Sequence, residues 1–146
     1  MKAKSNVLVC VTGQRDCDRL IRVGRTIADD REIPLQVLCV QPASAGYDAN
    51  CEELEYLRQT AKEMSAEMTV YFHDDAALIA VGIAKQTGTS QIVTGMAGVP
   101  SNGFIDMVHQ LLPEVPIAMV SKEGIVYHIC PSEQGTRSAP KLAVQN

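Results

Sequence analysis

The sequence predicts an α/β fold: a doubly wound five-stranded parallel sheet in the order 3-2-1-4-5, helices on both faces, and an extra C-terminal antiparallel strand. Three observations predict it. Short apolar runs rich in β-branched residues recur along the chain, as strands buried on both faces require. Between them lie segments whose apolar positions repeat at three and four, the stripe of a helix packed on a sheet. Gly, Pro, Ser and Asn punctuate each change of period.

Val7 to Val11 is the first strand, broken by Thr12-Gly13-Gln14. From Asp16, positions Cys17, Leu20, Ile21, Gly24, Ile27 and Ala28 form one helical stripe, and Pro34 closes that unit. Leu35 to Val40 is the second strand, and the small polar stretch from Pro42 to Asn50 is a loop. Leu54, Leu57, Ala61 and Met64 mark a second helix, with Glu52 and Glu53 placed to suit its dipole. Met68 to Phe72 is the third strand. Asp74 or Asp75 caps a third helix through Leu78, Ile79 and Ile83, and Gly88 stands at its C-terminus. Gln91 to Thr94 is the fourth strand, and Ser101 or Asn102 opens a fourth helix through Ile105, Val108, Leu111 and Leu112. Ile117 to Val120 is the fifth strand. Lys122-Glu123-Gly124 reads as a hairpin turn into Ile125 to Ile129, an antiparallel edge addition or an arm reaching another subunit. Residues 1–130 therefore form one domain, and 131–146, rich in Ser, Gln, Gly and Pro, read as a flexible C-terminal tail.

A chain of 146 residues buries a core without staples. Its net charge of -4, with no Lys/Arg cluster and few aromatics, excludes a nucleic-acid platform. No stretch approaches the roughly 20 apolar residues of a membrane span, and Met1 to Asn6 lead into the first strand without a signal peptide. The five cysteines are odd in number and lack a CxxC spacing, so they read as reduced thiols of a cytoplasmic protein, Cys10 and Cys39 in the core.

In such a sheet, ligands gather beyond the carboxyl ends of the strands where the winding reverses. Strand order 3-2-1-4-5 puts that reversal between strands one and four, bringing Thr12-Gly13 beside Thr94-Gly95. Helix N-termini follow both turns and favour an anion, and Gly95, Gly98 and Gly103 let backbone approach a phosphate. The plain alternative is that Gly and Pro only make a turn, with Ser101 or Asn102 an ordinary cap. The P-loop pattern with its clasping Lys is absent. His73-Asp74-Asp75 offers metal ligands or a base beside a carboxylate, but reads better as a helix cap beside a solvated imidazole. His128 and Cys130 share a strand face without the second pair a zinc site needs. His109 is read as solvent-facing. Asp16 and Asp18 could hold Mg²⁺ through phosphate oxygens, with helix capping the favoured role. Cys17, near a helix N-terminus but on the apolar stripe, reads as buried. No catalytic set and no metal site emerges.

The run Asn6-Val7-Leu8-Val9-Cys10-Val11-Thr12, then Arg19-Leu20-Ile21-Arg22, and Ser90 to Gly95 with Phe104 to Val108 leading to Val115 to Val120, resembles the universal stress protein family. The resemblance covers roughly residues 5 to 121. Within the family these segments look most like the stress-protein-like domain of potassium-sensing histidine kinases. It implies the adenine-nucleotide alpha-hydrolase-like fold and a G-x2-G-x9-G-[S/T] motif after strand four. Gly95 and Gly98 match its first two glycines, and Gly103 the third with the spacer shortened to four residues. Phe104 stands where the family has Ser or Thr, and Thr12 where ATP-binding members have Asp. Cys39 and Val40 would line the base pocket.

The expected ligand site is thus Thr12, Gly13, Cys39, Val40, Gly95, Gly98, Ser101, Asn102, Gly103 and Phe104, taking ATP or AMP, with a cyclic or dinucleotide ligand or no nucleotide as alternatives. The resemblance implies a non-catalytic regulator that is a homodimer through the fifth-strand edge, Ile117–Val120 and Ile125–Ile129. The rival is a protein-interaction or dimerisation module that has lost the nucleotide site. A slow nucleotide hydrolase would need a positioned base or metal.

Overall fold

The computed structural model describes residues 5–44, 46, 51–96, 103–131 and, for the backbone, 142–145. In chain order these form β1 (Asn6–Val11), a short 3-10 helix (Arg15–Cys17), α1 (Asp18–Arg31), β2 (Leu35–Gln41), α2 (Cys51–Glu63) and β3 (Glu67–Phe72). Then follow α3 (Ala76–Thr87), β4 (Thr89–Gly95), α4 (Phe104–Leu111), β5 (Ile117–Val120), β6 (Val126–Ile129) and β7 (Leu142–Gln145).

One sheet contains all seven strands, ordered β3-β2-β1-β4-β5-β6-β7. The first five are parallel, as expected, with Val9 opposite Val37 on one side and Val93 on the other. Successive side chains alternate between two cores. Val7, Val9 and Val11 of β1 pack with Val37, Cys39 and Val93 beneath α1 and α2. Leu8 and Cys10 pack with Leu38, Ile92 and Met119 beneath α3 and α4. β1 is buried along its whole length because both faces and both edges are covered.

α1 and α2 bury the stripes their periodicity predicts, whereas α3 buries Ala77, Ala80, Val81 and Ala84 with Leu78 left exposed, and α4 leaves Leu111 exposed. In α1 the buried stripe is Leu20, Ile21, Gly24 and Ala28, and Arg25 pairs with Asp29 one turn on at 2.8 Å. Gly24 is where α1 presses closest on the sheet: a Cβ there would run into the Val9 side chain. Glu32 in the left-handed region ends α1, and Gly88 at φ 75° ends α3. At the amino end of the sheet the buried Asn6 ties three elements together. Its amide nitrogen donates to the Thr87 carbonyl at 2.9 Å, and its oxygen accepts from Gln36 at 2.9 Å and Thr89 at 2.8 Å. A buried amide is tolerated when its polar atoms are paired in this way.

The C-terminal end meets expectation in one place and departs from it in another. β6 pairs antiparallel with β5, Ile117 opposite Ile129, which is the edge addition expected from the sequence, and it covers the β5 edge. Within 131–146, expected as a tail, Leu142–Gln145 form β7 against β6. Strand backbone left at an edge presents unpaired N–H and C=O groups, and a following segment of alternating apolar character satisfies them. α4 also starts later than expected: its N-cap is Gly103, and Ser101 and Asn102 lie outside the described residues. His109, read as solvent-facing, is buried next to Val108 on α4, which packs against α3. Among the described residues no helix is long and apolar enough to cross a membrane.

The cysteines divide by environment. Cys10, Cys17 and Cys39 are buried and Cys51 and Cys130 exposed, all as free thiols. Burial pushes the Cys10 thiol up to about 12 and raises Cys39 as well. At pH 8 a thiol-reactive probe followed by intact-mass spectrometry therefore labels Cys51 and Cys130 rapidly. Cys10, Cys17 and Cys39 react only after denaturant is added.

Candidate functional site

A crevice of about 920 Å³ opens beyond the carboxyl ends of β1, β2, β4 and β5, on the α3/α4 side. The pairing of β1 with β4 places it: the chain leaves β1 toward α1 on one face and β4 toward α4 on the other, and the diverging connections leave a gap. Its floor is apolar, formed by Cys10, Leu38, Val40, Ala77, Ala80 and Met119. Thr12, Thr94, Gly95 and Met96 come from the ends of β1 and β4. Gly103 and Phe104 bring the positive end of the α4 dipole to the rim. Phe104 and Met96 pack partly into the core beside the crevice and leave it open.

Not every residue expected here arrives. Thr12, Val40, Gly95, Gly103 and Phe104 line the crevice. Cys39 does not: it is fully buried in the opposite core, beneath α1 and α2. The reason is the two-residue period of β2, which sends Leu38 and Val40 to one face and Cys39 to the other. Gly13 also faces away. At φ +92° it turns the chain beneath Gln41, whose side-chain amide donates to the Thr12 carbonyl at 2.6 Å. Gly98, Ser101 and Asn102 lie outside the described residues.

Asp16 and Asp18 are drawn apart. Asp16 lines the crevice and lies 3.5 Å from Arg19, whereas Asp18 accepts the Tyr56 hydroxyl at 2.6 Å from α2. That hydrogen bond raises the Tyr56 phenol above its ordinary value. Neither carboxylate caps a helix through its side chain, contrary to the role favoured from sequence, and the pair does not converge as a Mg²⁺ site would require. Among the described residues no group of three or more His, Cys, Asp or Glu side chains could hold a metal. Asp75 caps α3 by accepting from the Leu78 N–H at 3.1 Å, and His73 Nδ1 accepts from the Asp75 N–H at 2.9 Å on the exposed side. Cys17 is buried, its Sγ 3.5 Å from Thr12 Oγ1.

Sequence reasoning missed the charged rim: Arg19, Lys122, Asp74 and Asp75 also line the crevice. The available signal was positional, since each lies just beyond the carboxyl end of a parallel strand or in the first turn of the helix after it.

The fold and crevice define a doubly wound α/β domain with a ligand-sized pocket at its strand-order reversal. No family model and no curated protein sequence matches the chain. Solved structures do match. UspA from Lactobacillus plantarum, a universal stress protein, is 17% identical with a TM-score of 0.62, over 83% of this chain and 99% of that one. A universal stress protein in complex with cAMP is 16% identical with a TM-score of 0.59, over 83% and 99%. The universal stress protein from Archaeoglobus fulgidus in complex with dAMP is 15% identical with a TM-score of 0.56, over 82% and 98%. The chain shares the universal stress protein fold with these proteins.

The turn at Gly13 supports a direct test. A Cβ there would meet the Gln41 amide nitrogen, and the positive φ disfavours any L side chain. Gly13→Ala is expected to lower stability by about 1–3 kcal/mol in urea titration. Gly103→Ala, at φ +89° with open space around the added carbon, carries the backbone strain alone and loses about 1 kcal/mol.

Proposed function

We propose that this chain is a non-catalytic, universal stress protein-like regulator that binds an adenine nucleotide in the β1/β4 crevice. The observation that carries the reading is the crevice itself. It lies at the strand-order reversal, its volume of about 920 Å³ falls within the range of small-ligand sites, and it joins an apolar floor to a rim that bears a helix N-terminus and two cationic side chains. A purine ring suits the floor of Leu38, Val40, Ala77 and Met119, and phosphate suits the rim. The structural neighbours solved with cAMP and dAMP support the same ligand class. Binding would be reported through β5 and its following turn, which form one wall of the crevice.

A second reading is favoured by two particular residues. Thr12 and Phe104 stand where the resembling family places an adenine-contacting Asp and a phosphate-contacting Ser or Thr. On this reading the fold is an interaction scaffold with no nucleotide site.

One experiment separates them. Purified protein is extracted and its bound small molecules identified by mass spectrometry, alongside calorimetry with adenosine, AMP, cAMP, ATP and cyclic dinucleotides. The nucleotide reading expects at least one adenine ligand with micromolar affinity, lost on Ala80→Arg, which fills the crevice floor. No heat and no co-purified ligand across the whole panel leaves only the scaffold.

A further inference from the structure

One wall of the crevice carries a cation held by the chain's own backbone. Arg19, in the first turn of α1, reaches across the mouth to the end of β5. Its Nε donates to the Ser121 carbonyl at 2.9 Å, Nη2 to the Val120 carbonyl at 3.4 Å and Nη1 to the Asp16 carbonyl at 2.7 Å. These acceptors fix the guanidinium, whose side chain is only 23% exposed, beside Gly95 at the end of β4. Lys122 follows Ser121 in the chain, is exposed, and lines the same crevice. The turn that anchors the one cation therefore presents the other. Asp16 pairs with Arg19 at 3.5 Å, and Asp74 and Asp75 lie at the start of α3, also on the crevice lining. Asp75 is held by its cap to Leu78, and Asp74 by the Ala43 N–H at 3.0 Å.

We propose that Arg19 and Lys122 hold the ligand's phosphate, and that the crevice selects nucleotides carrying one phosphate over triphosphates. The proposal rests on the nucleotide reading above and names the phosphate contacts and ligand class within it. Charge supplies the selection. A nucleoside monophosphate brings a charge of about -2 and a cyclic one about -1, which two cations match. A triphosphate brings about -4, and beyond Arg19 and Lys122 the charged groups lining the crevice among the described residues are the carboxylates of Asp16, Asp74 and Asp75. Arg19 suits the role because its planar fork can keep the carbonyls of β5 on one side and offer N–H to a phosphate oxygen on the other. Phosphate and the Asp16 carboxylate then compete for the same guanidinium.

Calorimetry with adenosine, AMP, cAMP and ATP, the last with and without Mg²⁺, tests this on the wild-type chain and two surface variants. Lys122→Gln is expected to weaken AMP about fivefold and leave adenosine unchanged. Asp16→Asn removes the competitor and is expected to tighten AMP about threefold, again without effect on adenosine. AMP or cAMP should bind at least about tenfold more tightly than ATP. The proposal is overturned, with the nucleotide reading intact, by wild-type AMP affinity in both variants, by equal binding of adenosine and AMP, or by ATP binding more tightly than AMP. If the wild-type chain binds none of the four, the nucleotide reading fails and this proposal falls with it.

Discussion

The parallel pairing of β1 with β4 is the contact on which the rest of the molecule depends. β1 is hydrogen-bonded on both edges, to β2 and β4, and packed on both faces, so its backbone and its apolar side chains are removed from water together. Because β2 and β4 flank it in space while the chain visits them in different directions, α1 and α4 leave for opposite faces. The gap between their first turns cannot close without unpairing a buried strand. A ligand-sized crevice follows from the topology before any particular side chain is chosen.

Side-chain identity then grades that crevice from dry to charged. The two-residue period of β1 and β2 delivers Cys10, Leu38 and Val40 to its floor, and α3 adds Ala77 and Ala80, whose small side chains leave room. At the mouth the arrangement is ionic. Arg19 is held by carbonyls at the end of β5, so the cation is preorganised and loses little rotamer freedom on meeting an anion. The same hydrogen bonds tie α1 to the turn that launches β6. The mouth of the crevice is thereby joined to the antiparallel extension of the sheet.

The strands and helices up to β5 were legible because each carries its own period, and the apolar runs of β1, β2 and β4 leave no polar face to expose. Asp75 as a helix cap and Gly88 as a helix end were legible because their local chemistry is self-sufficient. Cys39 was misplaced because resemblance names a strand position but not the face it points to. His109 was misplaced because the eight-residue α4 buries the adjacent pair Val108 and His109 rather than a regular apolar stripe. Arg19 and Lys122 escaped notice as crevice residues because they lie far apart in sequence and meet only where α1 touches the end of β5.

From the sequence alone came the alternation of strands and helices, the order of the parallel sheet, and the end of the sheet at which a ligand would gather. The alternation follows from hydrophobic period and the layering from the handedness of crossovers, which are local properties. The strand order is what the family resemblance implies, and the ligand-bearing end follows from that order. Tertiary structure decided which face each strand residue serves, which strand covers the β5 edge, and which charges surround the crevice. Those depend on register and on contacts across many residues of chain, where no local period reports the outcome.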